Sequence, residues 1–189
     1  MASLLLTGPA AEPLTLAETK AFLRVDDDAE DDLIASLIVA ARAAVEAGTR
    51  RALVTQSWRL VRDAWPADGR IAVRPAPLAA VTAARVYDDA GAAHAVDTEA
   101  FVPDLAASVL GFAPWAMPQP GRAVAGIEID ISVGYGDAAS AVPEPLRQAV
   151  RLLVAQWYEN RTLVAPGQTV SALPATVAAL VSPYRVLSL

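Results

Sequence analysis

The spacing of apolar residues predicts a long amphipathic helix in the last third of the chain. Over residues 143–161 the sequence reads PEPLRQAVRLLVAQWYENR, and its apolar side chains recur every three or four positions. This spacing places them on one face of a helix. Pro145 suits the first helical turn, where a missing N–H costs nothing. We therefore predict a helix over residues 143–161 that carries Leu153 and Trp157 in the core.

Two further helices are predicted near the N-terminus, together spanning residues 15–51. Thr15 and Glu18 form a capping-box pattern, in which the Thr15 hydroxyl accepts from the Glu18 N–H and the Glu18 side chain reaches back. A second apolar stripe follows the acidic run DDDAEDD, with Asp28 as the predicted N-cap because its carboxylate can accept from first-turn N–H groups. Residues 1–13 show no periodic pattern and are predicted to be an irregular arm.

At Thr55 the period changes from about 3.6 to about 2, which indicates strands. The clearest strand runs through residues 127–133, where isoleucines and a valine alternate with polar residues. Alternation predicts one buried and one solvated face, so Glu128 and Asp130 are expected to be surface charges. The predicted fold class is α+β: a mainly helical body of two N-terminal helices and a long C-terminal helix, with an inserted β-rich middle at residues 55–136 and an extended C-terminal arm.

Two apolar segments are candidate interfaces. The proline-rich loop 111–121 carries Phe112, Trp115 and Met117, and it either contacts a partner or folds back onto its own core. Residues 163–189 contain Arg185 as their only charge, and such an apolar segment is expected to be buried by a partner. We therefore predict one domain over residues 1–162 and a docking arm over 163–189. The predicted interface residues are Leu173, Val177, Leu180, Tyr184, Arg185, Leu187 and Trp115.

Composition excludes several classes of function. The formal net charge is −6, and residues 1–50 hold nine acidic and four basic side chains, so a clustered basic surface for tight DNA binding is not expected. The chain has no cysteine, which excludes disulfides, thiol catalysis and cysteine metal sites. It also has no apolar run of 18 residues, so no membrane-spanning segment is predicted.

No motif carries convincing chemistry. The acidic run fails the EF-hand pattern, because position six would be Asp31 instead of glycine and position twelve would be Leu37 instead of glutamate. His94 is the only histidine and lies in a predicted hairpin tip, where an oriented catalytic imidazole is not expected. Gly134–Ala139 matches G-x-G-x-x-A after a strand, but the helix that should meet the pyrophosphate is delayed. A small nucleotide-binding enzyme using this turn is the alternative function. No cofactor or metal is predicted.

Taken in order, several segments resemble one family. These are LTLAETKAFLRVD, EDDLIASLIVAARAAVE, the TQSW strand, VPEPLRQAVRLLVAQWYENR and LPATVAALVSPYR. Together they resemble the head–tail connector (adaptor) proteins of long-tailed phages, and the alanine- and arginine-rich composition is similar to versions found in gene transfer agents, the phage-like particles that carry host DNA. The resemblance runs across nearly the whole chain.

The resemblance implies a structural protein without enzymatic activity. It implies a homo-oligomeric ring of about twelve copies, a dodecamer, below the portal protein and joined to the next neck or tail protein. DNA would pass through the axial channel without specific binding, and no membrane is involved. Such particles assemble in the bacterial cytoplasm. Since a strongly basic lining would hold DNA through its phosphates, we predict an acidic or neutral channel.

Overall fold

The computed structural model describes residues 2–160 and 174–186. The chain divides into two compact units. The sheet unit comprises residues 1–10 and 55–135, and the helical unit comprises 11–54 and 136–189. The sheet unit contains almost all of the β-rich middle predicted at 55–136. The proposed division between a domain and an arm at residue 163 stays a prediction, because residues 161–173 lie outside the described part.

Eight short strands build the sheet unit. Five of them form one sheet in the order β1-β2-β8-β4-β5, and three form a second sheet in the order β3-β7-β6. All neighbouring strands are antiparallel. The strands are β1 (Ala2–Thr7), β2 (Gln56–Arg62), β3 (Arg70–Ala72), β4 (Leu78–Tyr87), β5 (Ala93–Val96), β6 (Val102–Asp104), β7 (Val109–Gly111) and β8 (Ile127–Val133).

The central strand β8 organises the larger sheet. It pairs along its whole length with β2, from Gln56 opposite Val133 to Arg62 opposite Ile127, and it pairs with β4 on its other side. Its odd-numbered side chains, from Ile127 to Val133, are completely buried. The alternation read from the sequence therefore identifies the strand and its core face correctly.

The prediction of an irregular arm at the N-terminus is wrong for residues 2–7. This segment is the edge strand β1, and Leu4 lies opposite Arg59 and Leu5 opposite Trp58 in β2. All six residues of β1 are exposed, so the strand buries no apolar stripe that a periodic pattern could reveal. Its backbone is held by pairing with β2, which depends on residues fifty or more positions away in sequence.

Four α-helices lie in the part of the helical unit that the structure describes. The helix α3 packs against α2 and α4, and α1 packs against α2 and α3. The core is formed by fully buried aliphatic side chains on α2 and α3, among them Ile34, Leu146 and Leu153. The helices are α1 (Leu16–Leu23), α2 (Asp31–Thr49), α3 (Glu144–Glu159) and α4 (Ala175–Val181).

The capping box at the start of α1 is confirmed. The Thr15 hydroxyl accepts from the Glu18 N–H at 3.1 Å, and the Glu18 carboxylate accepts from the Thr15 N–H at 3.0 Å. Glu18 also pairs with Arg147 of α3 at 2.8 Å. These contacts hold the pKa of Glu18 below its ordinary value, chiefly through its hydrogen bonds with Thr15. The cap thus joins α1 to α3 within the helical unit.

Replacing Thr15 by alanine is expected to lower the free energy of unfolding by about 1 kcal/mol, because the Glu18 N–H loses its acceptor. Chemical denaturation measures this change. Glu18→Gln is the matched control, since glutamine can still accept from the Thr15 N–H but cannot pair ionically with Arg147. An unchanged midpoint for Thr15→Ala would show that the cap contributes nothing to stability.

The predicted N-cap of α2 is wrong. The helix begins at Asp31 after Glu30, not after Asp28. The Asp28 carboxylate instead binds the Lys20 ammonium at 2.6 Å, which Asp31 also binds at 2.6 Å. This pairing raises the pKa of Lys20 to about 12. An ion pair between α1 and the start of α2 therefore replaces the local cap that the sequence pattern favoured.

The long helix is confirmed, with Pro145 in its first turn. Leu153 is fully buried as predicted. Trp157 is only half-buried, so the prediction that it is a core residue is only partly correct. It lies one turn beyond Leu153, near the last helical residue Glu159.

The expectation that residues 163–189 lie apart from the monomer's core is wrong for α4. Val177 and Val181 are buried to 0% and 1% exposure, and α4 packs against α3. The segment that follows is also tied down, because the Val186 N–H donates to the Thr49 carbonyl at 3.0 Å and Arg51 donates to the Tyr184 carbonyl at 2.6 Å. Its apolar stripe thus faces the chain's own helices.

Candidate assembly surfaces

The face of the larger sheet opposite its apolar core carries a network of arginines and carboxylates. Arg59 of β2 makes a two-pronged contact with Asp130 of β8, at 2.6 and 2.9 Å. Arg85 of β4 binds the same carboxylate from the other side. Glu128 lies 3.3 Å from Arg59 and accepts from the Tyr87 hydroxyl at 3.0 Å. The network joins β2, β8 and β4 across their backbone pairing.

The expectation that Glu128 and Asp130 are solvated surface charges is therefore wrong. Their side chains are only 17% and 13% exposed, because flanking arginines cover them. The pKa of Asp130 is lowered, chiefly by its hydrogen bond with Arg59. Strand alternation predicts the face correctly, but it does not predict which residues on neighbouring strands share it.

Replacing Asp130 by asparagine is expected to destabilise the sheet unit at neutral pH and to make little difference in acid. Because the pKa of Asp130 is lower in the folded protein than in the unfolded chain, the ionised carboxylate stabilises the fold above about pH 4. This stabilisation is lost as the pH falls through the folded-state pKa. The difference in unfolding free energy between wild type and Asp130→Asn should thus shrink below about pH 4. Denaturant titrations at several pH values test this, with the exposed Asp89→Asn as control. A difference independent of pH would contradict it.

Trp115 stands out from the proline-rich loop, with 89% of its surface exposed. Phe112 and Met117 of the same loop instead fold back onto the sheet unit. Met117 is 5% exposed, the Phe112 ring lies 5.2 Å from the Trp65 ring, and the Trp65 indole N–H donates to the Pro118 carbonyl at 2.8 Å. The loop was predicted either to contact a partner or to fold back onto its own core. Folding back is correct for Phe112 and Met117, whereas the Trp115 side chain points into solvent.

The predicted interface residues near the C-terminus differ in their accessibility. Val177 is buried, Leu180 and Tyr184 are half-buried, and Arg185 is exposed. Leu173 and Leu187 lie outside the described residues. A role of these residues in assembly stays a prediction, and Val177 can act there only indirectly because its side chain faces α3 and its neighbours.

Further exposed apolar residues lie in the sheet unit and were missed in the sequence. Leu4, Leu5 and Leu6 of β1 are 51%, 52% and 45% exposed. The signal was present in the sequence as three consecutive leucines in a segment without charges, but a strand at that position depends on pairing with β2. Large exposed aliphatic side chains on a folded unit mark contact surfaces.

The Gly134–Ala139 turn and His94 do not lie in the arrangements that their candidate chemistry requires. The Gly134–Ala139 turn is followed by a short 3-10 helix, Ala139–Ala141, and α3 begins only at Glu144, so no α-helix N-terminus meets the turn. His94 pairs with Asp88 at 2.8 Å in an exposed hairpin. Within residues 2–160 and 174–186, no group of three acidic or histidine side chains is placed to hold a metal ion. In the same ranges, no helix has both the length and the hydrophobicity needed to cross a membrane.

A protein with exposed leucines along a sheet edge and an outward tryptophan is of the kind that assembles with other chains. Residues 13–84 match a family model described as "Phage gp6-like head-tail connector protein". A comparison with curated protein sequences finds no match. The chain belongs to the family of phage head–tail connector proteins, as the resemblance of its helices and strands predicted.

The chain is similar over its full length to chains of gene transfer agent particles. A chain from the neck of an empty particle, computed with C6 symmetry, is 34% identical with a TM-score of 0.82. A chain from the virion of the native particle gives the same values. A chain from the neck of the native particle, computed with C12 symmetry, is 32% identical with a TM-score of 0.76. Each match covers 100% of this chain and 97% of the other.

Proposed function

We propose that this protein is the structural adaptor that joins portal and tail in the neck of a phage or a gene transfer agent particle. The observation that carries the proposal is the similarity over the whole chain, at 34% identity, to a chain in the neck of such a particle. A similarity covering 100% of this chain and 97% of the other includes both compact units. The protein is thus expected to occupy the same place in its own particle.

The protein acts as one copy in a ring of twelve. A related chain comes from a neck computed with C12 symmetry, and cyclic rings are built from one contact repeated head to tail between identical copies. The portal on one side and the next neck or tail protein on the other are the partners. The exposed Trp115 and Arg185 are candidate contacts with them, since aromatic and arginine side chains dominate the energy of many interfaces.

The adaptor carries out no reaction, and its contribution is mechanical. The well-paired sheet and the packed helices give each of the two units a fixed internal structure on which contacts with other chains can be built. DNA passes along the axis without base-specific contacts. Because the formal net charge of the chain is −6, we expect a channel lining that is acidic or neutral and that lets the phosphates slide.

Deleting the gene in a particle-producing bacterium tests the proposal. The expected result is DNA-filled heads and separate tails in electron micrographs, with joined particles restored by the wild-type gene. The control is a deletion of a tail-fibre gene, which should leave heads and tails joined. Normal joined particles in the absence of this protein would overturn the proposal. Particles would assemble in the bacterial cytoplasm, as the phage resemblance implies.

A further inference from the structure

Free strand edges occur at four places in the described chain, and they differ in chemistry. The three-stranded sheet ends in β3 and β6. β3 has only three residues and begins with Arg70, and β6 contains Pro103 and Asp104. Short length, proline and charge are the usual protections against pairing with another chain. Both edges of this sheet are therefore protected against strand addition.

The five-stranded sheet is open at both of its edges. The edge strand β1 has the sequence ASLLLT, with six exposed residues and without a charge or proline. The other edge strand, β5, has the sequence AHAV, with Ala93, His94 and Ala95 exposed. An exposed edge that carries three leucines and none of the usual protections is a template for strand addition.

The two open edges are related in a way that suits head-to-tail contact. Four antiparallel steps separate β1 from β5, so the two edge strands run in the same direction. Their side chains also differ in size, because β1 presents Leu4 and Leu5 whereas β5 presents Ala93 and Ala95. Large side chains of one strand can thus lie beside small ones of the other.

Symmetry decides between the possible partners of β1. Pairing of β1 with β1 of a second copy is isologous and requires a two-fold axis between the copies. Neighbouring copies in a cyclic ring are related by a rotation that needs two different contact patches. The edges β1 and β5 are two such patches on opposite ends of one sheet.

We propose that β1 of each copy adds to the β5 edge of the neighbouring copy, so that the sheets continue from one subunit to the next around the ring. This inference rests on the proposed ring and names the surfaces that close it. The added pair is parallel, as the common direction of the two edge strands requires. Pairing of this kind satisfies the free N–H and C=O groups along the outer edge of β1.

Cross-linking between introduced cysteines tests the contact, and the cysteine-free chain provides a clean background. The full-length Leu4→Cys/Ala95→Cys double variant is expressed in cells that assemble particles, and the particles are treated with a short bis-maleimide. The expected product is a ladder extending beyond the dimer, while each single variant stays monomeric. Dimers formed by Leu4→Cys alone would show β1–β1 pairing and overturn the proposal, as would cross-links that join β1 only to a different protein.

A charge test measures the same contact without cysteines. The Leu4→Lys/Leu6→Lys variant should enter particles at least about tenfold less than wild type, because lysines on an edge strand oppose pairing. Val102→Lys is the matched control, since Val102 is 71% exposed and lies on the edge strand β6, which is protected against strand addition. Equal incorporation of the double lysine variant would overturn the contact. If the double cysteine variant is present in particle necks but gives no ladder, only this inference fails; if wild type is absent from necks, the proposed function fails with it.

Discussion

Replacing Leu153 by alanine is expected to lower the free energy of unfolding by about 2–5 kcal/mol, the largest effect of any single change considered for α3. The side chain has 0% exposure and lies on the stripe by which α3 packs against α2 and α4. Truncation removes buried apolar surface and leaves a cavity that rigid helices cannot fill completely. Urea denaturation followed by circular dichroism measures the change.

Two further variants of α3 show whether burial is the cause. Gln156→Ala changes an exposed residue of the same helix and should alter stability by no more than about 0.5 kcal/mol. Trp157→Ala removes a larger side chain that is only half-buried, so its cost should fall below that of a fully buried tryptophan, about 3–5 kcal/mol. A loss for Leu153→Ala no greater than that for Gln156→Ala would mean that the stripe does not form the core.

The Val177→Ala/Val181→Ala double variant is expected to lower the free energy of unfolding by about 3 kcal/mol. Each change removes the equivalent of two buried methylene groups, at about 0.8 kcal/mol per group. Both valines lie on the face of α4 that is buried in the helical unit, at 0% and 1% exposure. The matched control is Thr176→Ala, a change at an exposed position of the same helix. Thermal and urea denaturation of the three proteins measure the difference.

The same double variant separates two roles of the C-terminal segment. If α4 is part of the helical core, the variant loses stability as an isolated protein, before any partner is present. If the segment acted only as a docking arm, the isolated protein would melt like wild type and only assembly would suffer. The burial of Val177 favours the first result, and it leaves the exposed Arg185 as the accessible candidate for a contact with another protein.

Local sequence determined the elements whose signals are short in range. The capping box needs only Thr15 and Glu18, three residues apart, and α1 starts where it predicts. The stripe of α3 and the alternation of β8 each expose one apolar face to the core, and both elements lie where the periodicity places them. The order of these elements also supported the resemblance to the connector family.

Tertiary structure decided the features that depend on residues distant in sequence. β1 is a strand because β2 supplies its hydrogen-bonding partners, and the cap of α2 shifts because Lys20 of α1 takes the Asp28 carboxylate. Asp130 is covered because arginines on two neighbouring strands lie on its face. Periodicity reports which face of an element is apolar, whereas the partner of that face is set by packing between segments. For this reason the helices and the central strand could be read from the chain, but the open sheet edges and the burial of α4 could not.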